Sequence, residues 1–434
     1  MITLDDAIQS VKNLLISWEN LFSLPESGDE LKAKLAVLNN PQVIIAIIMG
    51  VLLIWNVRSK IRESVEESKA FRTLEAPDFP PIEPLENFDW KSTEPPKFRP
   101  FKPKYHLTMA LETLVPSELI PMDKTFKERL EYRRSLLLEH HDTVIAVNND
   151  TDLRVCAAVS ELYTFLLGTY LPGRYPTMFK LHRVNYPSGK TVMLQNLVTE
   201  ELWPVKLAKE APTIRALETL IRTVDEDFLI LLPEQDDEET AAAGELEEEV
   251  AANPREEGGE TKYILEAFAT GYPAGFDPRK KLGNCLARIH EPVPGYPERL
   301  EKSMDRFFDK LEVGKYVKRV NWGITTDAEL FSAFGNKVHS SEGEILEAIE
   351  PEDLNIDKTF LRCERQTIHR LPSSQALVFG FHTYLYPLQD IKDEGLGEAL
   401  AQAIDGLKEG STPEIHLYKR GPVWEKAVKA FLTS

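Results

Sequence analysis

Apolar residues recur along this chain with two different periods, and the change between them predicts its secondary structure. In residues 297–311 they return every three or four positions and share one face, which is typical of an amphipathic helix. Residues 124–141 and 152–170 predict two earlier helices, the second of which should stop at Leu171-Pro172-Gly173. Residues 263–270 alternate between apolar and polar positions instead, as a half-buried strand does.

Three further strands are predicted later in the chain. Residues 315–324 form one, and Leu361–Arg370 and Ala376–Leu388 form the two arms of an antiparallel hairpin. Alternation along the first arm puts its side chains on two faces: Glu364, Gln366 and Ile368 on one, and Cys363, Arg365, Thr367 and His369 on the other. Helices followed by hairpin-rich strands predict an α+β fold, in which an antiparallel sheet has helices packed on one side.

Two residues of this hairpin are candidates for chemistry. A carboxylate such as Glu364, beside apolar strand positions, is either paired with a nearby arginine or tuned for proton transfer. On the second arm, His382 is either a metal-ligand candidate or a hydrogen-bonded sheet histidine. The alternation alone leaves both choices open.

An uncharged apolar run near the start of the chain predicts a membrane anchor. Residues 43–55 read VIIAIIMGVLLIW, and the surrounding segment is mostly apolar. A bilayer needs about 20 such residues, so we expect a single transmembrane helix at 42–58, with a buried core helix as the alternative. More Lys and Arg residues follow the run than precede it, which places the large C-terminal part in the cytosol. The endoplasmic reticulum is one candidate membrane.

The remaining segments predict the domain organisation. Residues 1–41 form an N-terminal segment, and 59–104 hold a charged helix and then a proline-rich tether. The aromatic residues within that tether favour a strap lying on the domain over a free linker. Residues 105–434 form the main domain, which contains a disordered acidic insert at 234–260.

Composition excludes several classes of protein. The chain of 434 residues is 42% hydrophobic and 28% charged, as expected of a globular protein. Its net charge is -19, but the acidic insert holds twelve carboxylates against one arginine. The globular part has no cluster of Lys and Arg, so nucleic acid is not an expected partner. The three cysteines lie far apart without CxxC spacing, which excludes a zinc motif and fits a reducing compartment.

The run Ile289-His290-Glu291-Pro292-Val293-Pro294-Gly295-Tyr296 combines a histidine with a stiff turn. Each proline fixes φ and biases the residue before it toward extended geometry, so the histidine is held in one direction. His290 is therefore a candidate axial metal or haem ligand. The alternative is a helix-terminal histidine bonded to a backbone carbonyl.

Five segments occur in an order that resembles one protein family. They are VDEDFLILL, KKLGNCLARIHEPVPGY, MDRFFDKL, RVNWGI and RCERQTIHRLPSSQALVFGFHTYLYPL. Between about Tyr105 and Leu388 the chain resembles the catalytic subunits of haem-dependent oxidative N-demethylases. The resemblance implies a PAS-like sheet that holds haem b, and a monooxygenase that demethylates an amine with dioxygen and reducing equivalents, releasing formaldehyde.

The resemblance also implies roles for particular residues. His290 matches the proximal haem ligand and Glu364 the active-site carboxylate. Arg365 and Gln366 share the ERQT motif, and Trp322 belongs to the NW pair, so these three should line or support the pocket. The chain contains no flavin or iron–sulfur module, so electrons from NAD(P)H would arrive through a separate reductase.

One segment departs from the family pattern. Where the family usually has Pro-Ser-x-Trp before KLG, this chain has Gly271-Tyr272-Pro273-Ala274-Gly275-Phe276-Asp277, so the family's substrate cannot be transferred to it. The leading hypothesis is a membrane-anchored, cytosol-facing N-demethylase-like enzyme for a small N-methylated amine. The alternatives are a non-catalytic haem sensor or carrier and a haem-free, membrane-tethered interaction protein. A sensor needs His290 but not Glu364.

Overall fold

A computed structural model describes Pro41, Leu52, Trp55 and residues 72–186, 189–234, 261–334 and 346–434. Residues 72–434 form one compact unit. Apart from those three isolated positions, the predicted N-terminal segment and the predicted transmembrane helix at 42–58 lie outside the described residues. The charged helix predicted after them and the acidic insert from residue 235 also lie outside the described residues. They stay predictions, as do the proposed domain limits.

The compact unit is built on antiparallel strands. In the described residues these are β1 (Glu112–Thr113), β2 (Ile145–Val147), β3 (Phe179–Tyr186), β4 (Gly189–Asn196), β5 (Leu202–Pro204), β6 (Asp227–Pro233), β7 (Tyr263–Ala269), β8 (Tyr316–Thr325), β9 (Phe360–Arg370) and β10 (Leu377–Pro387). One sheet has the order β1-β8-β9-β10-β6-β7-β2, and a smaller sheet has the order β3-β4-β5. This mixture of helices with antiparallel sheet confirms the α+β class, while the likeness to a PAS domain stays a prediction.

Helices lie between and after the strands. They are α1 (Phe126–Glu139), α2 (His141–Val144), α3 (Leu153–Phe165), α4 (Leu171–Arg174), α5 (Ile214–Thr223), α6 (Leu286–Ile289), α7 (Lys302–Lys310), α8 (Leu388–Asp393), α9 (Gly397–Glu409), α10 (Ile415–Tyr418) and α11 (Gly421–Thr433). Residues of α1, α3 and α5 share a core cluster with one face of the large sheet. The C-terminal helices pack on the same face, nearer its edge. Residues 286–311 cover part of the opposite face, so helices lie on both sides and not on one as predicted.

The helix after Asp152 differs from its prediction at the end. Asp152 caps it, because its Oδ1 accepts a hydrogen bond of 2.8 Å from the Arg154 N–H. The predicted stop is wrong: a π-helical turn carries the helix into α4, although Pro172 has no N–H to donate there. The continuous helix Leu153–Arg174 is long and apolar enough to span a membrane, but 67% of its apolar window is buried, as in a core helix.

The predicted hairpin is confirmed. β9 and β10 pair along their whole length, and β8 pairs with the other side of β9. Glu364 is opposite Asn321 of β8 and Thr383 of β10. We call the side that carries Glu364 and Ile368 the open face, and the side that carries Cys363 the helix face, since Cys363 packs against the C-terminal helices.

The proline-rich segment lies on the domain. Phe79 stacks on Phe165 of α3, with ring centroids 3.9 Å apart. Phe101 meets Trp322 edge-on at 6.4 Å. These contacts explain why the segment contains aromatic residues, and residues from Arg72 onward belong to the compact unit.

Candidate functional site

His290 lies where α6 ends, over the open face of the sheet. Its Nδ1 is 2.8 Å from the carbonyl oxygen of Leu286. A carbonyl can only accept, so Nδ1 carries the proton and Nε2 keeps its lone pair. Burial lowers the pKa of His290 to about 4, against the opposing effect of the Leu286 carbonyl. The imidazole is therefore neutral at pH 7, as a metal ligand must be.

The turn after His290 fixes the direction of its ring. Gly295 has φ 73°, a left-handed conformation that glycine adopts without strain, and it returns the chain to Tyr296. The Tyr296 ring stacks on the imidazole, with centroids 4.6 Å apart and planes 9° from parallel. Tyr296 is itself fully buried and directs its hydroxyl toward the sulfur of Met304. Two contacts therefore hold the histidine ring, one through Nδ1 and one through its face.

An apolar strip of the sheet lies beside this histidine. Ile368 is paired with Val317 of β8 and Phe379 of β10, so the three side chains share the open face. Val317 and Phe379 are only partly buried, although they pack with the cluster that contains Leu286 and Tyr296. The segment around His290 thus lies over this strip without fully covering it.

Glu364 lies further along the same face and lines a small, partly open cavity with room for about one water molecule. Gln366 donates a hydrogen bond of 3.2 Å to its Oε2, and the Nε of Arg362 is 3.7 Å from its Oε1. A side chain added at Gly323 would meet nothing within 4 Å, so the cavity is open above that glycine. The other residues lining the cavity are Ala274, Asn321, Trp322 and Lys419.

Lys419 closes one side of this cavity. It follows α10 and is buried, and its ammonium group donates to Asn321 Oδ1 at 3.1 Å and to the carbonyl of Trp322. Burial lowers the pKa of Lys419 to about 8, although the nearby charge of Glu364 acts to raise it. The cavity therefore places a buried amine close to a carboxylate.

Arg319 lies on β8 between these two parts of the open face. It is paired with Gln366 across the strands, and its positive charge acts on both His290 and Lys419. Its Nε is buried and has no hydrogen-bond partner within the described ranges. Burial lowers the pKa of this guanidinium, and the charge of Glu364 opposes that effect only in part.

The structure brings some of the predicted site residues together and separates others. His290, Glu364 and Gln366 all face the open side. Arg365 faces the helix side, where it donates to the carbonyls of Leu119, at 2.9 Å, and Glu118. The Trp322 side chain packs among the C-terminal helices, although its residue borders the cavity.

Two other histidines of the hairpin, including the candidate His382, lie on the helix face. His369 is fully buried and stacks on Tyr316 at 4.6 Å, and neither of its ring nitrogens has a partner in the part of the chain that the structure describes. His382 lies between two carboxylates, 3.2 Å from Glu226 and 3.4 Å from Asp225. Across the described residues there is no group of three or more His, Cys, Asp or Glu that could hold a metal ion.

Sequence reasoning missed four residues of this site. Arg319, Asn321 and Gly323 share one face of a strand that was predicted, so its alternation already pointed to them. Lys419 carried no such signal, since it reaches the cavity only through the packing of the C-terminal helices.

These features define an α+β protein in which one neutral histidine and one carboxylate face the same open side of a sheet. The family described as haem-dependent oxidative N-demethylase, alpha subunit-like, matches residues 110–429. The match covers well over half of the chain, so the chain belongs to this family. It includes His290 and Glu364, and it extends through the C-terminal helices to include Lys419.

The residues around His290 fit a haem. A single neutral imidazole with a free Nε2 is the ligand that haem iron takes in many proteins, and it leaves the opposite face of the iron available. The partly covered apolar strip suits a flat macrocycle. The unpartnered Nε of Arg319 suits a carboxylate such as a haem propionate, because an Arg–carboxylate contact satisfies both groups.

Proposed function

We propose that this protein is a monooxygenase that removes a methyl group from an N-methylated amine. The balanced reaction converts one N-methylated amine, one dioxygen, two electrons and two protons into the demethylated amine, one formaldehyde and one water. The observation that carries this proposal is the shared face of His290 and Glu364, one residue suited to hold haem b and the other to hold an amine. We expect the electrons to come from NAD(P)H through a separate reductase.

When bound, haem supplies dioxygen activation and the oxidation of the N-methyl group. The chain supplies the geometry. His290 would hold the iron through Nε2 while Leu286 and Tyr296 fix the ring. Glu364 would bind the substrate ammonium and accept its proton, since a neutral amine is more easily oxidised.

The neighbours of Glu364 prepare it for this role. Gln366 bonds one carboxylate oxygen and Arg362 lies beside the other, so the group is held in one orientation. An oriented carboxylate positions the N-methyl group with little loss of freedom at the moment of reaction.

The test compares the full chain with two variants, all expressed with haem available. We expect His290→Ala to lose the Soret band. We expect Glu364→Gln to keep the band and to lower formaldehyde release from N-methylated amines by about 10²-fold, the usual size of general-base catalysis. Lys426→Gln, at an exposed lysine paired with Glu350, is the control for expression and handling.

Each other outcome points to one of the alternatives. A Soret band without formaldehyde release from any N-methylated amine, given a competent reductase, would favour the sensor or carrier. Absence of a Soret band in the unaltered chain would favour the third hypothesis, a haem-free interaction protein. A Soret band that survives His290→Ala would mean that another histidine binds the haem iron, and His369 and His382 would be tested next.

We also infer that residues 42–58 anchor the protein in a membrane with the enzyme domain in the cytosol. The uncharged run and the Lys and Arg residues after it support this. Full-length protein should stay in the membrane pellet after a carbonate wash, and its recovery in the supernatant would refute the anchor.

A further inference from the structure

We propose that the cavity beside Glu364 holds one ordered water, and that Lys419 exchanges protons with Glu364 through this water. Lys419 thereby restores the protonation state of Glu364 between turnovers. This inference rests on the proposed function and adds a residue to it. Lys419 acts through Glu364 and does not touch the substrate.

The size of the cavity fits a single water. It has room for about one water molecule. A buried water also needs about two to four polar partners, and these have to include groups that can donate and groups that can accept. Glu364, Arg362 and Lys419 all line the cavity, so one acceptor and two donors surround the same space.

Arg362 gives the clearest sign of this water. Its terminal nitrogens donate to the carbonyls of Tyr272 at 2.9 Å and Leu330 at 3.1 Å, but its Nε is buried and has no hydrogen-bond partner among the described residues. This Nε lies 3.7 Å from Glu364 Oε1, which is too far for a direct hydrogen bond. A buried N–H without an acceptor is costly, and a water that accepts from Nε and donates to Oε1 removes that cost.

Lys419 completes the set of partners for the water. Its ammonium group has three N–H bonds, and the acceptors described for it are Asn321 Oδ1 and the carbonyl of Trp322. The charge of Glu364 acts on Lys419, yet the two form no ion pair in the part of the chain that the structure describes. A water between them gives the third N–H an acceptor and joins the two groups by hydrogen bonds.

The proposed reaction needs such an exchange. Glu364 accepts a proton from the substrate ammonium in each turnover and has to release it before the next substrate binds. The O–H bond of the Glu364 carboxyl breaks, its proton passes to the water, and the water gives another proton to the neutral amine of Lys419. The resulting ammonium releases a proton to solvent, since the cavity is open above Gly323. No electrons move, and all three groups return to their initial states.

The charges around Lys419 suit a group that gains and loses a proton near neutral pH. Burial lowers the pKa of Lys419 to about 8, and the positive charge of Arg319 acts in the same direction. The charges of Glu364 and Cys363 oppose this effect in part, and Arg362 is the other cation that lines the cavity. About a tenth of the chains therefore carry the neutral amine at pH 7, against fewer than about one in a thousand for an exposed lysine.

A crystal structure of the haem-loaded full chain tests the water directly. We expect one water within hydrogen-bond distance of Arg362 Nε, Glu364 Oε1 and Lys419 Nζ. A cavity without a water, or a direct contact between Lys419 and Glu364, would overturn the inference.

Infrared spectra test the link between the two residues without any turnover. Difference spectra of the haem-loaded full chain between pH 7 and pH 9 contain the carboxylate bands of Glu364, which are identified by their absence in Glu364→Gln. We expect these bands to shift with a midpoint near pH 8, as Lys419 loses its proton. Bands that stay constant over this range would contradict the link.

The variant Lys419→Arg separates proton exchange from charge. Arginine keeps the positive charge and can donate to the Trp322 carbonyl, but it does not release its proton. We expect Lys419→Arg and Lys419→Met both to lower kcat for formaldehyde release at least about tenfold, with KM changed less than about twofold. Both should also lose the midpoint near pH 8 in the pH profile of kcat. Lys426→Arg, at the exposed lysine paired with Glu350, is the matched control.

A normal kcat in Lys419→Arg would show that only the charge matters, and the inference would fall while the enzyme stands. If no N-methylated amine yields formaldehyde, yet the water and the infrared midpoint are both found, the proton link stands and the proposed function falls. The crystal structure and the infrared titration use Lys419 in place, so they decide the matter even if neither Lys419 variant folds.

Discussion

The two faces of the β9–β10 hairpin carry similar polar side chains in opposite situations. Behind the helix face, His382 lies within 3.4 Å of both Asp225 and Glu226, and Arg129 of α1 forms an ion pair with Asp225. On the open face, the charge of Glu364 acts on Lys419, but the two side chains form no ion pair within the described residues. Charges that bond to one another stabilise the fold, whereas charges held apart remain available to a ligand.

Within the network behind the helix face, Arg133 and Asp227 each form several hydrogen bonds. Arg133 donates to Asp227 at 2.6 Å and to the carbonyl of Glu226 at 2.6 Å. Asp227 also accepts from the backbone N–H groups of Gly271 at 2.7 Å and Tyr272 at 2.8 Å. Removing Arg133 therefore leaves the buried Asp227 carboxylate without its ionic partner.

The first prediction exchanges the same residue type on the two faces. Arg133→Met should lower the free energy of unfolding by about 3–5 kcal/mol, because it strands the buried Asp227 carboxylate. Arg319→Met should change it by less than about 1 kcal/mol, since Arg319 forms no ion pair among the described residues and its burial is already costly. Urea unfolding of the haem-free full chain measures both.

Equal losses of stability in the two variants would contradict the proposed difference between the two faces. A large loss from Arg319→Met alone would make Arg319 structural and would remove it from the haem site. Circular dichroism before unfolding shows whether each variant has the native secondary structure.

The sequence allowed the open face to be predicted better than the network. Alternation along β9 correctly separated Glu364 from Arg365, because a strand side chain can only point to one of two sides. No pattern in the sequence predicted burial of the run Asp225-Glu226-Asp227, yet all three residues are at most 3% exposed. Their partners Arg129 and Arg133 lie on α1, far away in sequence, and local pattern does not reveal such a pairing.

The same limit explains what was missed elsewhere. The β3–β4 hairpin and the C-terminal helices were not predicted, although the helices supply Lys419 and one of the hydrophobic clusters. Predicting that Lys419 reaches the carbonyl of Trp322 requires the packing of α10 against the edge of the sheet. Secondary structure could be predicted from periodicity, whereas contacts between distant elements could not.

The second prediction separates two neighbouring carboxylates of the network. Burial acts to raise the pKa of Asp225, but the charge of Arg129, helped by His382 and Arg133, lowers it overall. Burial raises the pKa of Glu226, and its contact with His382 offsets this only in part. Asp225→Asn should therefore cost about 2 kcal/mol or more, and Glu226→Gln less than about 1 kcal/mol. Urea midpoints at pH 7 test this order, and a reversed order would show that Glu226 carries the charge.

The third prediction uses pH to test a histidine on the helix face. Burial lowers the pKa of His369 to about 3, while the unfolded chain binds the same proton near pH 6.5. Burying His369 in its neutral form therefore costs no stability above pH 6.5. As the pH falls from 6.5 toward 3, the unfolded chain binds a proton that the folded chain does not, and the free energy of unfolding decreases progressively. His369→Leu removes the group, so between pH 7.5 and 5.5 the unaltered chain should lose roughly 1 kcal/mol more than the variant.

Urea unfolding at both pH values gives this difference, and the other histidines cancel in the comparison because both proteins contain them. His182→Leu, at an exposed histidine of β3 bonded to Gln195, is the matched control and should follow the unaltered chain. If His369→Leu also followed it, the proton would be taken up in the folded state. The helix face of the hairpin would then admit water. The two faces would differ only in how much water reaches them.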